Sequence, residues 1–218
     1  MTELAKFVYE VLVWAVPAVL AITLHEAAHG YAAKRYGDAT AYVMGRLSLN
    51  PLVHVDLLGT VIVPLVLVFA YCLTGFSFIV GWAKPVPINP RNFRPFKQGF
   101  LVVSAAGCLC NFIQAVLWAL LLKFLVMMGF AGQFLFSVCA AGVIVNMCLM
   151  GFNLFPVPPL DGGRILTVIL PWQWSQWLAQ AEHYGLVILA LLIVSGVLNF
   201  WLSPFMRIAQ ILLSFAVM

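Results

Sequence analysis

Apolar runs of bilayer-crossing length recur along this chain, at about residues 7–36, 57–81, 99–128, 132–155 and 183–201. No other feature restricts the fold as strongly. A helix crossing a hydrocarbon core of about 30 Å takes roughly 20 residues, and in that medium backbone groups pair only within helices or closed barrels. Composition agrees: 64% of the 218 residues are hydrophobic and 8% are charged, far from the balance of a soluble domain. The expected fold is an all-α polytopic membrane protein with about five transmembrane helices, a re-entrant or partly inserted element, and short strands. A single domain over residues 1–218 is expected, with a core at about 7–166 and C-terminal helices at about 183–218. Glu3 and Glu10 do not suit the basic start of a cleaved signal, so the first run reads as a retained helix.

Between the runs the chain is punctuated. Gly37 and Asp38 end the first helix. Residues 39–54 mix β-branched, glycine and Asn-Pro signals and read as short strands or loop. The second run contains Pro64 and Gly75, and residues 81–99, "GWAKPVPINPRNFRPFKQG", read as extended loop. After the fourth run, the prolines and paired glycines of "NLFPVPPLDGGR" imply irregular backbone. Pro204 is expected to separate residues 183–201 from a last apolar stretch. The five cysteines show no CxxC spacing and read as small packing residues. The +4 net charge is scattered over loops, which suits a membrane rim and excludes a nucleic-acid surface.

The chemistry lies in "HEAAH", residues 25–29, near the end of the first run. On a helix, positions i and i+4 share a face, so His25 and His29 can each offer a ring nitrogen to one metal ion. Glu26 stands beside the first ligand, where a general base belongs. Histidines at a membrane interface can simply snorkel, and Phe7 to His25 rises about 27 Å, which puts the motif near the edge of the hydrocarbon. The spacing nonetheless matches a metal site, and ionisable groups at this depth are functional by default. A catalytic zinc centre usually takes a third protein ligand. Asp161 is the best placed of the downstream acids, because Pro158, Pro159, Gly162 and Gly163 around it can turn a carboxylate back towards a bundle. Irregular backbone at membrane depth is tolerated where it lines an enclosed or wet cavity.

Three segments carry a family resemblance. "HEAAH", "AGCLCN" at 106–111 and "NLFPVPPLDGG" at 153–163 together resemble the site-2 protease family of intramembrane zinc metalloproteases. The stretches "GRLSLNP" and "GWAKPVPINPRNF" are similar to those of compact prokaryotic members without a PDZ domain. The resemblance spans about residues 20–166. It implies one zinc ion on His25, His29 and Asp161, Glu26 as base, and Asn153, eight residues before the aspartate, as oxyanion donor. The family's usual Gly-Pro in the middle helix is Gly107-Cys108 here. The implied activity is endopeptidase cleavage of membrane-embedded protein substrates within the bilayer or at its cytoplasmic edge.

Topology follows from joining the two motifs. The first helix ends at the HEAAH face and the fourth run ends before Asp161, so those ends share one side. The third run must then start there, and the second cannot cross completely. Lys34, Arg35, Arg46, Lys84, Arg91, Arg94, Lys97 and Arg164 fall on that side, with Lys6, Lys123 and Arg207 opposite or undecided, so that side is expected to be cytoplasmic, in a prokaryotic cell membrane as the resemblance implies. His54 reads as a hydrogen-bonded loop residue and His183 as an interfacial one. Ser77 and Ser104 lack a nucleophile context. The extended stretch "WAKPVPIN" offers a strand edge to an unwound substrate. The alternative reading is a zinc-binding membrane protein without protease activity, a transporter or a chaperone-like pseudoprotease. A transporter needs polar residues along a crossing path, whereas the ionisable groups gather at one face. A pseudoprotease would be expected to lose Glu26 or a ligand.

Overall fold

The computed structural model describes residues 2–54, 56–63, 65–66, 69–70 and 84–218. The first helix, α1 (Glu3–Arg35), starts at Thr2, whose side chain accepts from Ala5 N, and carries Lys34 and Arg35 in its last turn, where the helix dipole favours cations. Gly37, at φ +101°, turns the chain away, a conformation that glycine alone adopts without strain. A short helix, α2 (Thr40–Val43), follows. The hairpin of α3 (Phe96–Met127) and α4 (Gln133–Asn153) makes the centre of the bundle. Beyond irregular residues 154–160 lie α5 (Asp161–Ile169), α6 (Trp172–Ala181), α7 (Gly185–Val194) and α8 (Val197–Val217).

Among the described helices α1, α3, α4 and α8 are long and apolar enough to cross a membrane; the chain from Trp172 to Val194, bent by 82°, makes a fifth if counted as one span. The all-α polytopic expectation holds. The expected short strands do not: no strand occurs among the described residues. Where strands were expected, Gly45 (φ +65°) closes the turn after α2, and the Asn50 side chain accepts from Leu52 N to start a 3-10 turn at Pro51–Val53. Capping groups there satisfy the backbone that a ladder would have paired. A second correction concerns the C-terminal helices. The break falls at Gly196 (φ +77°), not at Pro204, which lies inside α8. Pro204 stands in the second turn of that helix, where the i−4 carbonyl it would displace belongs to Phe200 near the helix start.

Helix directions are as the motif argument requires. Tyr9 Oη donates to Ser137 Oγ at 2.9 Å, setting the starts of α1 and α4 together. At the other end, Arg94 N donates to Tyr36 O at 2.8 Å, so α3 starts where α1 stops. The intervening chain therefore leaves and returns at one end. Part of it travels far: the ring of Phe69 meets that of Phe7 at 6.0 Å, near the start of α1, and Lys84 N is back at His54 O at 3.0 Å. Pro64 and Gly75, the expected bend positions, lie outside the described residues. The returning loop is fastened by Asp38, which accepts from Thr40 N and Oγ1, Asn89 N and Asn92 Nδ2. Burial opposes ionisation there, but these four donors outweigh it and hold the carboxyl below its ordinary range.

The core sits where α3, α4 and α8 meet, around Ala115, Ala119, Val143, Met147 and Ala209. Small residues let helices in lipid approach closely enough for dispersion to hold them. Trp118 lies directly against Gly142, where a Cβ would come within 2.4 Å of the indole. Trp201 Nε1 donates to Gly151 O at 2.8 Å and fixes the start of α8 beside the end of α4.

Candidate active site

His25 and His29 lie on the face of α1 that turns inwards, and Asp161 opens α5. Their exposures are 8, 7 and 5%. His25 Nε2 and His29 Nε2 stand 3.0 Å apart, and each lies close to the same carboxylate oxygen, Asp161 Oδ2, at 3.4 and 3.2 Å. Four donors about 2.1 Å from a tetrahedral centre stand about 3.4 Å from one another, so the triangle is of the right size. Among the described residues these three are the one group whose donor atoms all lie within 4.8 Å of one another.

The outer ring atoms say what the inner ones carry. His25 Nδ1 is 3.2 Å from Asn111 Oδ1 and His29 Nδ1 is 2.6 Å from Val103 O. Both partners are acceptors, so both Nδ1 atoms carry the proton and both Nε2 atoms present lone pairs. Two lone pairs and a carboxylate oxygen buried face to face repel unless a cation sits among them. The donor set of two imidazoles and one carboxylate, each held from behind, fits zinc.

Space for this arrangement comes from Gly107 on α3. A Cβ there would stand 2.5 Å from His25 Cε1 and His29 Nε2. Its neighbour Cys108, where the resembled family usually has proline, donates from Sγ to Asp161 Oδ2 at 3.7 Å. The double glycine after Asp161 has a different task from the expected one. It is helical, and a Cβ on Gly163 would meet Pro158 N at 2.1 Å. Those glycines let α5 press against the irregular backbone before it, which aims Asp161 at α1.

Glu26 is half-buried and contributes no atom to the triangle. Its Oε2 accepts from Val86 N at 2.8 Å in the returning loop, and Oε1 has no hydrogen bond among the described residues. Asn153 ends α4 half-buried, with Nδ2 donating to Leu149 O at 3.0 Å; its second N–H has no acceptor among the described residues. His54 is buried, with Nε2 donating to Ser48 O at 2.8 Å, apart from the triangle. Residue-type reasoning did not single out Asn111, Gly107 or Cys108. Asn111 had a signal, one of two amides, with Gln114, in the middle of a long apolar run. The Val103 carbonyl had none, since backbone atoms leave no mark in sequence.

Asn111 offers a direct test of the outer hydrogen bonds. It is fully buried and its Nδ2 has no partner among the described residues. Asn111→Leu removes the acceptor that orients His25, and zinc affinity is expected to fall about 10- to 100-fold. The metal-free protein should melt close to wild type, because losing the unpaired Nδ2 offsets the His25 N–H left without its acceptor. Competition against a chromogenic chelator measures the first; unchanged affinity would deny Asn111 this role.

A buried His-His-Asp triangle with the Glu26 carboxylate on the same helix as its two histidines, at one end of a bundle of membrane-crossing helices, defines a membrane metallohydrolase. The family model described as Peptidase family M50 matches residues 127–196, the part that carries Asp161. A Bacillus subtilis protein named "Putative zinc metalloprotease YwhC" is 34% identical over 197 residues, covering 87% of this chain and 83% of its own. "Putative zinc metalloprotease Rip2" of Mycolicibacterium smegmatis is 27% identical over 84% of this chain and 67% of its own, and "Zinc metalloprotease MJ0392" of Methanocaldococcus jannaschii is 26% identical over 72% and 35%. No solved structure matches. The chain belongs to peptidase family M50, the site-2 protease family, and is a polytopic membrane metalloprotease that uses zinc.

Proposed function

We propose that this protease cuts membrane-embedded protein substrates within the bilayer or at its cytoplasmic edge, as one domain over residues 1–218, with one zinc ion on His25, His29 and Asp161. The observation that carries this is the convergence of two Nε2 lone pairs and Asp161 Oδ2 on one buried point, beside a carboxylate with an oxygen to spare. When bound there, zinc polarises a peptide carbonyl and acidifies water towards a pKa of about 7. Glu26 Oε1 takes the proton from the attacking water and returns it to the leaving amide nitrogen as the C–N bond breaks, so the carboxylate is regenerated. The free N–H of Asn153 donates to the oxyanion. Burial of the triangle keeps bulk water from competing for these groups.

A substrate helix hides its amides in internal hydrogen bonds and must unwind before attack. Residues 84–89 pass Glu26, and Ile88 lines the adjoining cleft, a position suited to pairing with an unwound segment. The excess of Lys and Arg in the segments joined at this end supports a cytoplasmic orientation.

The test is cleavage of single-span membrane peptides by purified protein in detergent, with a zinc chelator and then with zinc restored. Loss and recovery are expected; cleavage indifferent to the chelator would remove the metalloprotease mechanism. Asn153→Ala is expected to slow turnover about 10²-fold while zinc content stays at the wild-type value. Equal loss of zinc and turnover would make Asn153 structural.

A further inference from the structure

Beside the triangle opens a cleft of ≈ 660 Å³, between the start of α3, the returning loop and helices α5 and α6. Its floor is His29, Asp161, Val103 and Phe93, all buried. Its rim is exposed and carries Lys97, Arg164 and Glu182. Among the described residues neither Lys97 nor Arg164 has an ion-pair partner, since the two contacts within 4.0 Å between a basic side chain and a carboxylate both belong to Asp161. The loop leading to the rim, residues 84–97, holds Lys84, Arg91, Arg94 and Lys97 and no acid. The cleft thus passes from a metal-site floor through apolar walls to a rim with surplus positive charge.

The height of that rim in the bilayer is marked by α6. Trp172, which lines the cleft, is 74% exposed, and Trp174 and Trp177 are 64 and 69% exposed. Three exposed tryptophans on a helix without a formal charge belong at the lipid–water boundary. A substrate chain whose scissile bond lies at the triangle therefore has its apolar residues in the walls and its first polar residues at Lys97 and Arg164.

We propose that the cleft selects substrates whose transmembrane segment is followed, on the active-site side, by acidic residues. Most spans carry Lys or Arg at the cytoplasmic flank, and two unpaired cations repel those, so the rim discriminates by rejection as well as attraction. This rests on the protease reading, and the experiment separates the two.

The protein is prepared as Glu26→Gln, which retains bound peptide uncut, in neutral detergent. Three fluorescent peptides share one span and differ in the four following residues, all Glu, all Gln or all Lys. The Glu peptide is expected to bind about tenfold more tightly than the Lys peptide at low salt, with the gap closing near 0.5 M NaCl. Lys97→Glu with Arg164→Glu should invert the order, and the pair Lys97→Gln with Arg164→Gln should erase it, which guards against a reversal that harms folding. Wild-type cleavage rates should follow the same order. Equal binding of all three peptides, or an order unmoved by charge reversal, overturns the proposal while leaving zinc-dependent cleavage intact. So does a reversal that abolishes binding to phosphatidylglycerol micelles and leaves peptide preference unchanged, which would assign the rim to lipid. Absence of chelator-sensitive cleavage would count against the protease reading alone, because the binding arm still reads the flank preference.

Discussion

Glu26→Gln is expected to lower cleavage of a membrane peptide about 10³-fold with zinc content unchanged. Glutamine cannot take the proton from water, yet its amide oxygen can still accept from Val86 N, as Glu26 Oε2 does at 2.8 Å. The returning loop therefore stays fastened, and the variant isolates proton transfer. Glu26→Ala would release Val86 as well and confound the two effects. Metal analysis of the purified variant, with single-turnover cleavage at saturating peptide, reads both quantities. Residual activity within about tenfold of wild type would show that another group accepts the proton.

Gly107→Ala is expected to empty the metal site, lowering zinc affinity by at least about 100-fold. The methyl would stand 2.5 Å from His29 Nε2 and 2.6 Å from His25 Nε2, inside the triangle itself. A helix backbone cannot retreat far when its opposite side packs against α4, so the rings must move and lose Asn111 or the Val103 carbonyl. Alanine favours helix over glycine by about 1 kcal/mol, so the metal-free fold should persist. Zinc stoichiometry after gel filtration, beside the melting temperature of the metal-free protein, distinguishes a blocked site from a broken fold. A full complement of zinc would mean that α3 yields at this point.

Much of the site was legible because its atoms come from residue types with few other uses in lipid. HEAAH places two imidazoles one turn apart whatever the rest of the chain does, and a carboxylate between prolines and glycines stands out in a chain with seven acids. The groups that position these ligands were harder to read. Val103 acts through a carbonyl, Gly107 through the absence of a side chain, and Cys108 through a thiol that also reads as packing. The C-terminal helices misled in an instructive way. Pro204 costs α8 the single bond to the Phe200 carbonyl without ending the helix, whereas Gly196, at φ +77°, takes the left-handed turn that separates α7 from α8. The strands expected at residues 39–54 failed because β-branched residues make a strand only when a partner edge is at hand.

The sequence by itself determined the helical membrane fold, the shared end of α1 and Asp161, and the pairing of His25 with His29 on one helix face, since hydrocarbon leaves the backbone no alternative to helix and the i, i+4 pair is local geometry. Only the tertiary structure decided that both Nδ1 atoms are held by acceptors, that Glu26 keeps one oxygen free among the described residues, and that a positive-rimmed cleft adjoins the His-His-Asp triangle. Those properties arise from contacts between residues far apart in the chain, 86 positions for His25 and Asn111, and separations of that kind are set by how helices pack.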